Sequence, residues 1–499
     1  MATKRCASVL LFDDQPIQSK RGVQRQMLPP ERDPNPVLAP ELPWEINRWA
    51  GDPGMSVLQE ENGHCHMWYM LKHEAAEGET PPLALTGLDH KTQADMLACP
   101  RYILAYASSA DGISWTKPEL DLISWGEHER TNLLMAGRLG GTVFIDPNAP
   151  AESRLKMLYG GGERVPYLLP GETEAKRSVY HGIWGAESAD GIHWDQLGQV
   201  LPWYTDTTNI CYWDDQRQRY VAFVRRNHGM DFADGATIVH DRCFYRAIAR
   251  AETTDFRNFP APTCILVPPE DLWHPYNTGT DYYNTAAMKY PFAPDAYFLF
   301  ISFFHHRTGL LDVHLATSRD GIEYEIEQEP WFSPAPGDRF DSASVYFGAG
   351  LVDHGDEFSL YYRGYSYPHT APLVPRGSFR TEDVAVGIGR VRVRRDGLFA
   401  QTFGANGELV TKPSPVTGSQ LGVNVDAGAN GELRIAVLDP AGQTIPGYSL
   451  DACAPISGNR VDTAVSWEDK NGLEDLRGKD VSLRFVGSQA RLFSFTCQD

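Results

Sequence analysis

The sequence predicts an all-β fold, a five-bladed β-propeller followed by a C-terminal β-sandwich. The first observation is a short turn motif that returns five times, each time after an apolar run of alternating character. The aspartates of these turns are 79, 65, 65 and 76 positions apart, and they are Asp111, Asp190, Asp255, Asp320 and Asp396. Asp-Gly between two such runs indicates a hairpin, since glycine accepts the positive φ of a tight turn. Five similar units at long period predict a radial array of small sheets.

The second observation is that helical periodicity is nearly absent from the 499 residues. Short apolar runs are separated by clusters of Gly, Pro, Asn and Asp, which is typical of strands and turns. Residues 1–43 are interpreted as an N-terminal strand, at 9–12, and a Pro-rich extended arm. Residues 44–400 carry the five repeats, and residues 401–499 have their own alternating strands, as in a β-sandwich.

Each blade is predicted from three apolar runs. In a propeller the first strand of each blade lines the axis, so residues at its start face a central funnel. The runs of the five blades fall, in chain order, in 55–70 with 102–106, 142–159 with 180–186, 209–224 with 243–249, 284–302 with 311–316, and 344–362 with 384–391. The funnel is therefore the place where function is expected.

Composition excludes several classes of partner. The formal net charge is −20, and such an acidic chain repels nucleic acids and anionic membranes. The sequence has no run of about 18 apolar residues, the length that would predict a membrane span. The eight cysteines are scattered without Cys-x-x-Cys pairs, which is typical of free thiols in a reducing compartment. With no convincing signal peptide, we expect a cytoplasmic protein, and a homo-oligomer is compatible with the sequence.

Three parts of the chain carry a resemblance to a known superfamily. Residues 35–45, the Ser-x-Asp-Gly-Ile-x-Trp turns and residues 144–159 resemble the five-bladed glycoside hydrolase-like proteins of families 32, 43, 68, 117 and 130. Residues 445–453 and 483–495 look like a sandwich appended to bacterial proteins of this type. The resemblance covers roughly residues 31 to 499. It implies activity on fructosides, arabinofuranosides, xylosides, galactosides or mannosides.

Glycoside cleavage needs a carboxylic acid and a carboxylate, and the resemblance implies two aspartates and one glutamate at the axis. Four aspartates precede predicted axial strands: Asp52, Asp206, Asp281 and Asp341. We expect Asp52 as nucleophile or base, Asp206 as stabiliser of the transition state, and Asp281 or Asp341 as further ligands. Crowded carboxylates cannot all ionise, so one would stay protonated. An aspartate before a strand is also a common turn residue, and both interpretations stay open.

The expected glutamate has two candidates. Glu163, in a glycine-rich loop, is the first candidate for the acid, and Glu270 is the second; either is also compatible with a solvated loop charge. Candidates for substrate binding lie near the same strand starts or end second strands; they are Trp49, Trp203, Asn209, Tyr282, Arg225 and His305. Aromatic faces suit sugars, and the arginine fork suits a sugar carboxylate, sulfate or phosphate. Packing between blades and solvated loop ends are the alternatives.

The sequence therefore predicts a glycoside hydrolase acting on a terminal sugar, because a narrow funnel suits a chain end. A phosphorylase, with Arg225, Arg226 and Arg307 holding phosphate, is one alternative. A non-catalytic sugar-binding propeller is the other. No cofactor is required. The resemblance allows a divalent cation such as Ca²⁺ in the funnel, while His64 and His66 have no third metal ligand close in sequence.

Overall fold

The computed structural model is built almost entirely of β-strands, which confirms the all-β prediction. It describes residues 8–46, 54–72, 83–85, 102–137, 139–160, 164–167, 177–204, 207–227, 230–233, 236–239, 245–269, 279–369 and 385–499. Short 3-10 turns occur at Ala151–Ser153 and Glu474–Leu476. Within these ranges no helix has the length and apolar character needed to cross a membrane.

The first half of the chain forms two antiparallel sheets of five strands. Its strands are β1 (Val9–Leu10), β2 (Ile17–Met27), β3 (Glu31–Arg32), β4 (Met55–Gln59), β5 (Cys65–Lys72), β6 (Leu83–Leu85), β7 (Tyr102–Ser109), β8 (Trp115–Thr116), β9 (Ile123–Trp125), β10 (Leu133–Ala136), β11 (Leu139–Ile145), β12 (Leu155–Gly160), β13 (Arg164–Tyr167), β14 (Arg177–Ser188) and β15 (Asp195–Tyr204). One sheet joins β4, β5, β7, β8 and β10, and the other joins β11 to β15. Strands β6 and β9 pair separately.

The middle of the chain forms a four-stranded sheet and a nine-stranded one. Its strands are β16 (Ile210–Asp214), β17 (Arg219–Asn227), β18 (Met230–Ala233), β19 (Ala236–Val239), β20 (Arg246–Thr253), β21 (Thr263–Leu266), β22 (Thr280–Lys289), β23 (Tyr297–His305), β24 (Leu310–Ser318), β25 (Glu325–Ile326), β26 (Ser344–Phe347), β27 (Val352–Asp353), β28 (Glu357–Tyr365) and β29 (Val386–Arg394). Strands β16, β17, β20 and β21 form one sheet, and β18 pairs with β19. Strands β22 to β29 join β3 in the larger sheet, whose two halves meet at the parallel pair Leu311 and Ser344.

Five inner strands lie side by side around one axis: β4, β11, β16, β22 and β26. The backbone N–H of Val143 in β11 donates to Ser56 Oγ of β4 at 3.0 Å. The N–H of Val57 in β4 donates to the carbonyl oxygen of Ala349, just after β26, at 2.8 Å. Apolar side chains of β16 and β22, including Ile210 and Ala287, share one core cluster. The ring agrees with a propeller, while the number of complete blades stays a prediction.

The repeated turns each join two strands of one sheet and contact the neighbouring sheet. In the turn after β14, the N–H groups of Ile192 and His193 both donate to Asp190 Oδ1 at 2.9 Å. Gly191 has a φ of +78°, and a Cβ there would overlap the indole of Trp68, whose N–H donates to the Gly191 carbonyl at 2.7 Å. The glycine is therefore needed both for its positive φ and for the close approach of the adjacent sheet. The turn at Gly112 likewise receives a hydrogen bond from Tyr361.

The C-terminal residues form a second sheet of nine strands. Its remaining strands are β30 (Phe399–Thr411), β31 (Ser414–Pro415), β32 (Gln420–Asp426), β33 (Glu432–Leu438), β34 (Asn459–Ala464), β35 (Asp480–Ser488) and β36 (Ala490–Gln498). Strand β30 pairs with β35 near one end and with β36 near the other, so the sheet folds over a shared core that includes Trp467. Strands β1 and β2 pair with β36 and β30. The N-terminal arm thus adds two strands to this sheet, and the boundaries at 43 and 400 stay predictions.

Candidate functional site

At one end of the inner-strand ring, the structure brings together charged and histidine side chains that could bind a substrate. Arg246 is the first residue of β20 and Asp281 the second residue of β22 at this end. Strand β17 ends here shortly after Arg225, and β23 ends just before His306. Antiparallel neighbours place the start of one strand beside the end of the next. The order of strands therefore brings together residues that lie far apart in the sequence.

Asp281 is the carboxylate at the centre of this group. Its Oδ1 accepts the backbone N–H of Arg246 at 3.1 Å, and its Oδ2 accepts the Arg246 guanidinium at 2.5 Å and His306 Nε2 at 2.9 Å. The residue is only 2% exposed. Burial raises its pKa, but the hydrogen bond from His306 and the charge of Arg246 outweigh that effect and lower the pKa below the ordinary 3.8. Asp281 is thus ionised at neutral pH, and it orients Arg246 and His306.

The ring of Tyr283 is the second centre of the group. The guanidinium carbons of Arg225 and Arg246 lie 4.6 and 4.9 Å from its centroid, and the ring of His369 lies 4.4 Å away. His369 Nδ1 is 2.6 Å from the hydroxyl oxygen of Tyr346. Burial, together with the positive charges of nearby Arg246 and Arg225, lowers the pKa of His369 to about 3. The imidazole is therefore neutral at pH 7.

The arrangement packs two cations and a neutral imidazole around the buried ring of Tyr283 at one end of the inner-strand ring. We name Asp281, Tyr283, Arg225, Arg246, His306 and His369 the Asp281 cluster. The side chain of Arg246 is 28% exposed, so it can reach a ligand while Asp281 holds it in place. Cations fixed in this way favour developing or full negative charge on a bound molecule.

The sequence predictions fall into three groups. Arg225 and Asp281 lie in the cluster. Asp52, Asp206, Glu163 and Trp49 lie outside the described residues, as does Glu270, so their roles stay predictions. The other five predicted residues are described and have partners of their own; they are Asp341, Trp203, Asn209, Tyr282 and His305.

Asp341 is held in an ion-paired network. Its side chain has no exposed surface, and Arg32 Nη1 and the hydroxyl of Tyr362 donate to its Oδ2 at 2.9 and 2.7 Å. Arg339 Nε lies 3.3 Å from Oδ1. Both oxygens are bound in the interior, so these contacts give Asp341 a structural role, and the site role expected from the sequence stays a prediction.

The remaining predicted ligands also have structural contacts. The indole N–H of Trp203 donates to the Arg225 carbonyl at 2.9 Å, which supports the end of β17. Asn209 is fully buried in the ring, where its backbone N–H donates to the carbonyl of Gly140 at 3.2 Å. Tyr282 stacks on Phe303 with ring centroids 4.7 Å apart, in the core cluster shared with β16. Its neighbour Tyr283 occupies the cluster instead.

His305 points to a different group from His306. Its Nε2 lies 3.1 Å from Asp312 Oδ1, and its Nδ1 lies 3.2 Å from Thr280 Oγ1. No group of three or more His, Cys, Asp or Glu in the described part of the chain could hold a metal ion. A cation in the funnel therefore stays a prediction.

Sequence reasoning missed Arg246 and His369. Arg246 starts the third strand of its sheet, and His369 follows the second strand of another. The rule that singled out Arg225 and His305, that second strands end at the funnel, also predicts that third strands begin there. Applied to β20, it would have found Arg246.

No family model and no curated protein matches the sequence. Solved structures similar to it include an N-acetylgalactosamine deacetylase from F. plautii in complex with blood group B trisaccharide (13% identity, 76% of this chain and 97% of that chain, TM-score 0.42). A β-1,2-mannobiose phosphorylase from Listeria innocua has 12% identity, with 73% of this chain and 96% of that chain covered and a TM-score of 0.42. A family 43 arabinoxylan arabinofuranohydrolase from Bacillus subtilis has 9% identity, with 93% of this chain and 99% of that chain covered and a TM-score of 0.36.

The similar structures thus include a phosphorylase and a family 43 glycoside hydrolase. All three TM-scores are below 0.5. At such values the likeness supports no assignment of activity, which rests on the residues of the chain itself.

Proposed function

We propose that the chain is a carbohydrate-active enzyme, a glycoside hydrolase that releases a terminal sugar from an oligo- or polysaccharide. The observation that carries the proposal is the Asp281 cluster, at the end of the ring where Asp281 and Tyr283 begin an inner strand. The partly exposed guanidinium of Arg246, held in place by Asp281, suits a sugar, whose hydroxyls bind fixed polar groups.

The roles divide according to protonation. Asp281, with its lowered pKa, cannot supply the proton that the leaving oxygen needs. It serves instead to position Arg246 and His306 against the substrate. The reacting carboxylates are proposed to be Asp52 and Asp206, with Glu163 as the acid. A carboxyl separation of about 5 to 5.5 Å would indicate retention, and one of roughly 6.5 to 9.5 Å inversion.

The proposal is tested by a screen of nitrophenyl glycosides, furanosides included. The unaltered protein is expected to release nitrophenol from at least one of them. Asp52→Asn and Asp206→Asn should each lower kcat at least about a hundredfold, since each removes a group that acts on the reacting atoms. Thermal stability should stay close to that of the unaltered protein. Full activity in both variants would refute these assignments, and the exposed Asp121→Asn serves as control.

A second candidate function is a phosphorylase, which the cations of the cluster favour. Arg225 and Arg246 flank Tyr283, and the charge of Lys72 acts on His369 in the same group. Such cations suit phosphate, which would replace water as the attacking group.

Phosphate dependence distinguishes the two reactions. For a hydrolase we expect sugar release in phosphate-free buffer, and for a phosphorylase release that rises with added phosphate and yields a sugar phosphate. Arg246→Gln should then raise the KM for phosphate more than that for the sugar. Binding of oligosaccharides without any turnover would favour the non-catalytic alternative.

A further inference from the structure

A cavity of about 890 Å³ lies at the opposite end of the inner-strand ring. Its walls are the last residues of the inner strands and the facing strands β32, β34 and β36 of the C-terminal sheet. This volume lies in the range of ligand pockets, roughly 300 to 1,000 Å³. Lys289 at the cavity and Asp281 are the two ends of one strand and are roughly 26 Å apart at the usual rise per residue. The cavity is thus separate from the Asp281 cluster.

One wall of the cavity is aromatic and apolar. Trp213 is partly exposed and packs edge-on against Tyr220 at a centroid distance of 4.9 Å. Among the described residues no acceptor is bound to its indole N–H, which remains available to a ligand. Ile145, at the end of β11, is 40% exposed in the same wall. A partly exposed indole beside apolar carbon suits a molecule with one apolar face.

The other wall carries a carboxylate in an unusual backbone conformation. Asp462 lies inside β34 with a φ of +54°, beside an irregular register between β32 and β34. A non-glycine residue in this region stores strain, and such residues concentrate at functional sites. Asp462 Oδ1 accepts the hydroxyl of Thr496 at 3.2 Å, while its Oδ2 has no donor within the described ranges.

The charge of the lining selects among ligands. Four aspartates line the cavity against two cations, and both cations already form ion pairs: Lys289 with Asp215, and Arg395 with Asp353. An anionic ligand would meet net negative charge, so phosphates and carboxylates are disfavoured. A neutral molecule with hydroxyl donors fits the open Asp462 oxygen.

We propose that this cavity is a second binding site, for a neutral oligosaccharide that packs a sugar face on Trp213 and donates a hydroxyl to Asp462. The site holds a substrate chain away from the reacting end, and it does so whichever reaction the Asp281 cluster serves. The inference rests on the proposed action on carbohydrates, but not on the choice between hydrolysis and phosphorolysis.

Isothermal titration calorimetry with xylotetraose, cellotetraose and kestose tests the proposal, with spermidine and glucuronate as charged probes. The protein used is the full chain with Asp281→Asn, in which the expected loss of kcat/KM slows turnover during the titration. We expect at least one neutral oligosaccharide to bind. Trp213→Phe keeps the aromatic packing but removes the N–H, and Asp462→Asn tolerates the same positive φ. Each should weaken binding about tenfold, as for a lost hydrogen bond to a fixed group.

The matched control is Asp451→Asn, an exposed aspartate of the same part of the chain that should bind like the parent protein. The Asp281→Asn protein should also bind the oligosaccharide as tightly as the chain with native Asp281 does. Four results would overturn the proposal: no neutral oligosaccharide binds, both cavity variants bind normally, binding needs native Asp281, or spermidine alone binds.

Discussion

Replacing Asp281 by alanine is expected to abolish sugar release and to lower the free energy of unfolding by about 3 to 5 kcal/mol, the usual cost of breaking a buried ion pair. The physical reason is that Arg246 and His306 lose their shared partner in a site where Asp281 is 2% exposed. Chemical denaturation gives the stability, and the glycoside screen gives the activity of the folded protein.

A milder variant separates positioning from folding. Asp281→Asn keeps the shape and one acceptor, so it should fold while lowering kcat/KM at least about tenfold through misplaced Arg246. Asp341→Asn is the matched control, because it also removes a buried charge that binds arginines. Equal loss of activity in both asparagine variants would contradict the special place of Asp281.

The contribution of Asp281 to the free energy of unfolding depends on pH in a defined way. Its pKa is lowered in the folded protein, so the unfolded chain binds the proton more readily. The stabilisation is therefore fully present above the ordinary value of 3.8 and is lost as the pH falls through the lower folded pKa. The difference in stability between the native protein and Asp281→Ala should accordingly shrink below about pH 4.

Gly350→Ala is expected to have the second large effect, on stability rather than chemistry. Gly350 has a φ of +89°, and a Cβ there would overlap the carbonyl oxygen of Val57 in β4. The left-handed conformation costs about 1 to 2 kcal/mol for alanine, and overpacking adds about 1 to 3 kcal/mol. The loss matters for function because Val57 and Ala349 close the ring of inner strands.

Gly355→Ala provides the control for this substitution. Gly355 has a nearly equal φ of +92°, but a Cβ there would meet nothing within 4 Å. Thermal unfolding should show a loss of only about 1 to 2 kcal/mol for Gly355→Ala. An equal loss of stability in the two variants would mean that a Cβ at position 350 does not overlap the Val57 carbonyl oxygen of β4.

Much of the fold could be predicted because its signals are local. The turns at Asp111, Asp190 and Asp320 repeat one pattern, in which a carboxylate binds two following N–H groups and a glycine takes positive φ. Such a pattern is visible in a few consecutive residues. The pairing of β2 with β30 joins residues almost 400 positions apart, and no short pattern encodes it.

The site was predicted only in part, because neighbouring residues of a strand face opposite sides. Tyr282 and Tyr283 are equally aromatic in the sequence, yet Tyr282 enters the core and Tyr283 the cluster. His305 and His306 differ in the same way. Asp341 precedes its strand and Asp281 lies at the start of another, but Arg32 from a distant segment binds Asp341 together with the nearby Arg339. These outcomes depend on tertiary partners, which a single sequence does not show.

The central claim is that sugar binds at the Asp281 end of the inner-strand ring, and a crystal structure of Asp281→Asn soaked with an oligosaccharide that the native protein cleaves tests it most directly. We predict a terminal sugar with hydroxyls within about 3.2 Å of Arg246. A sugar bound only elsewhere, with this end of the ring filled by water, would contradict the claim.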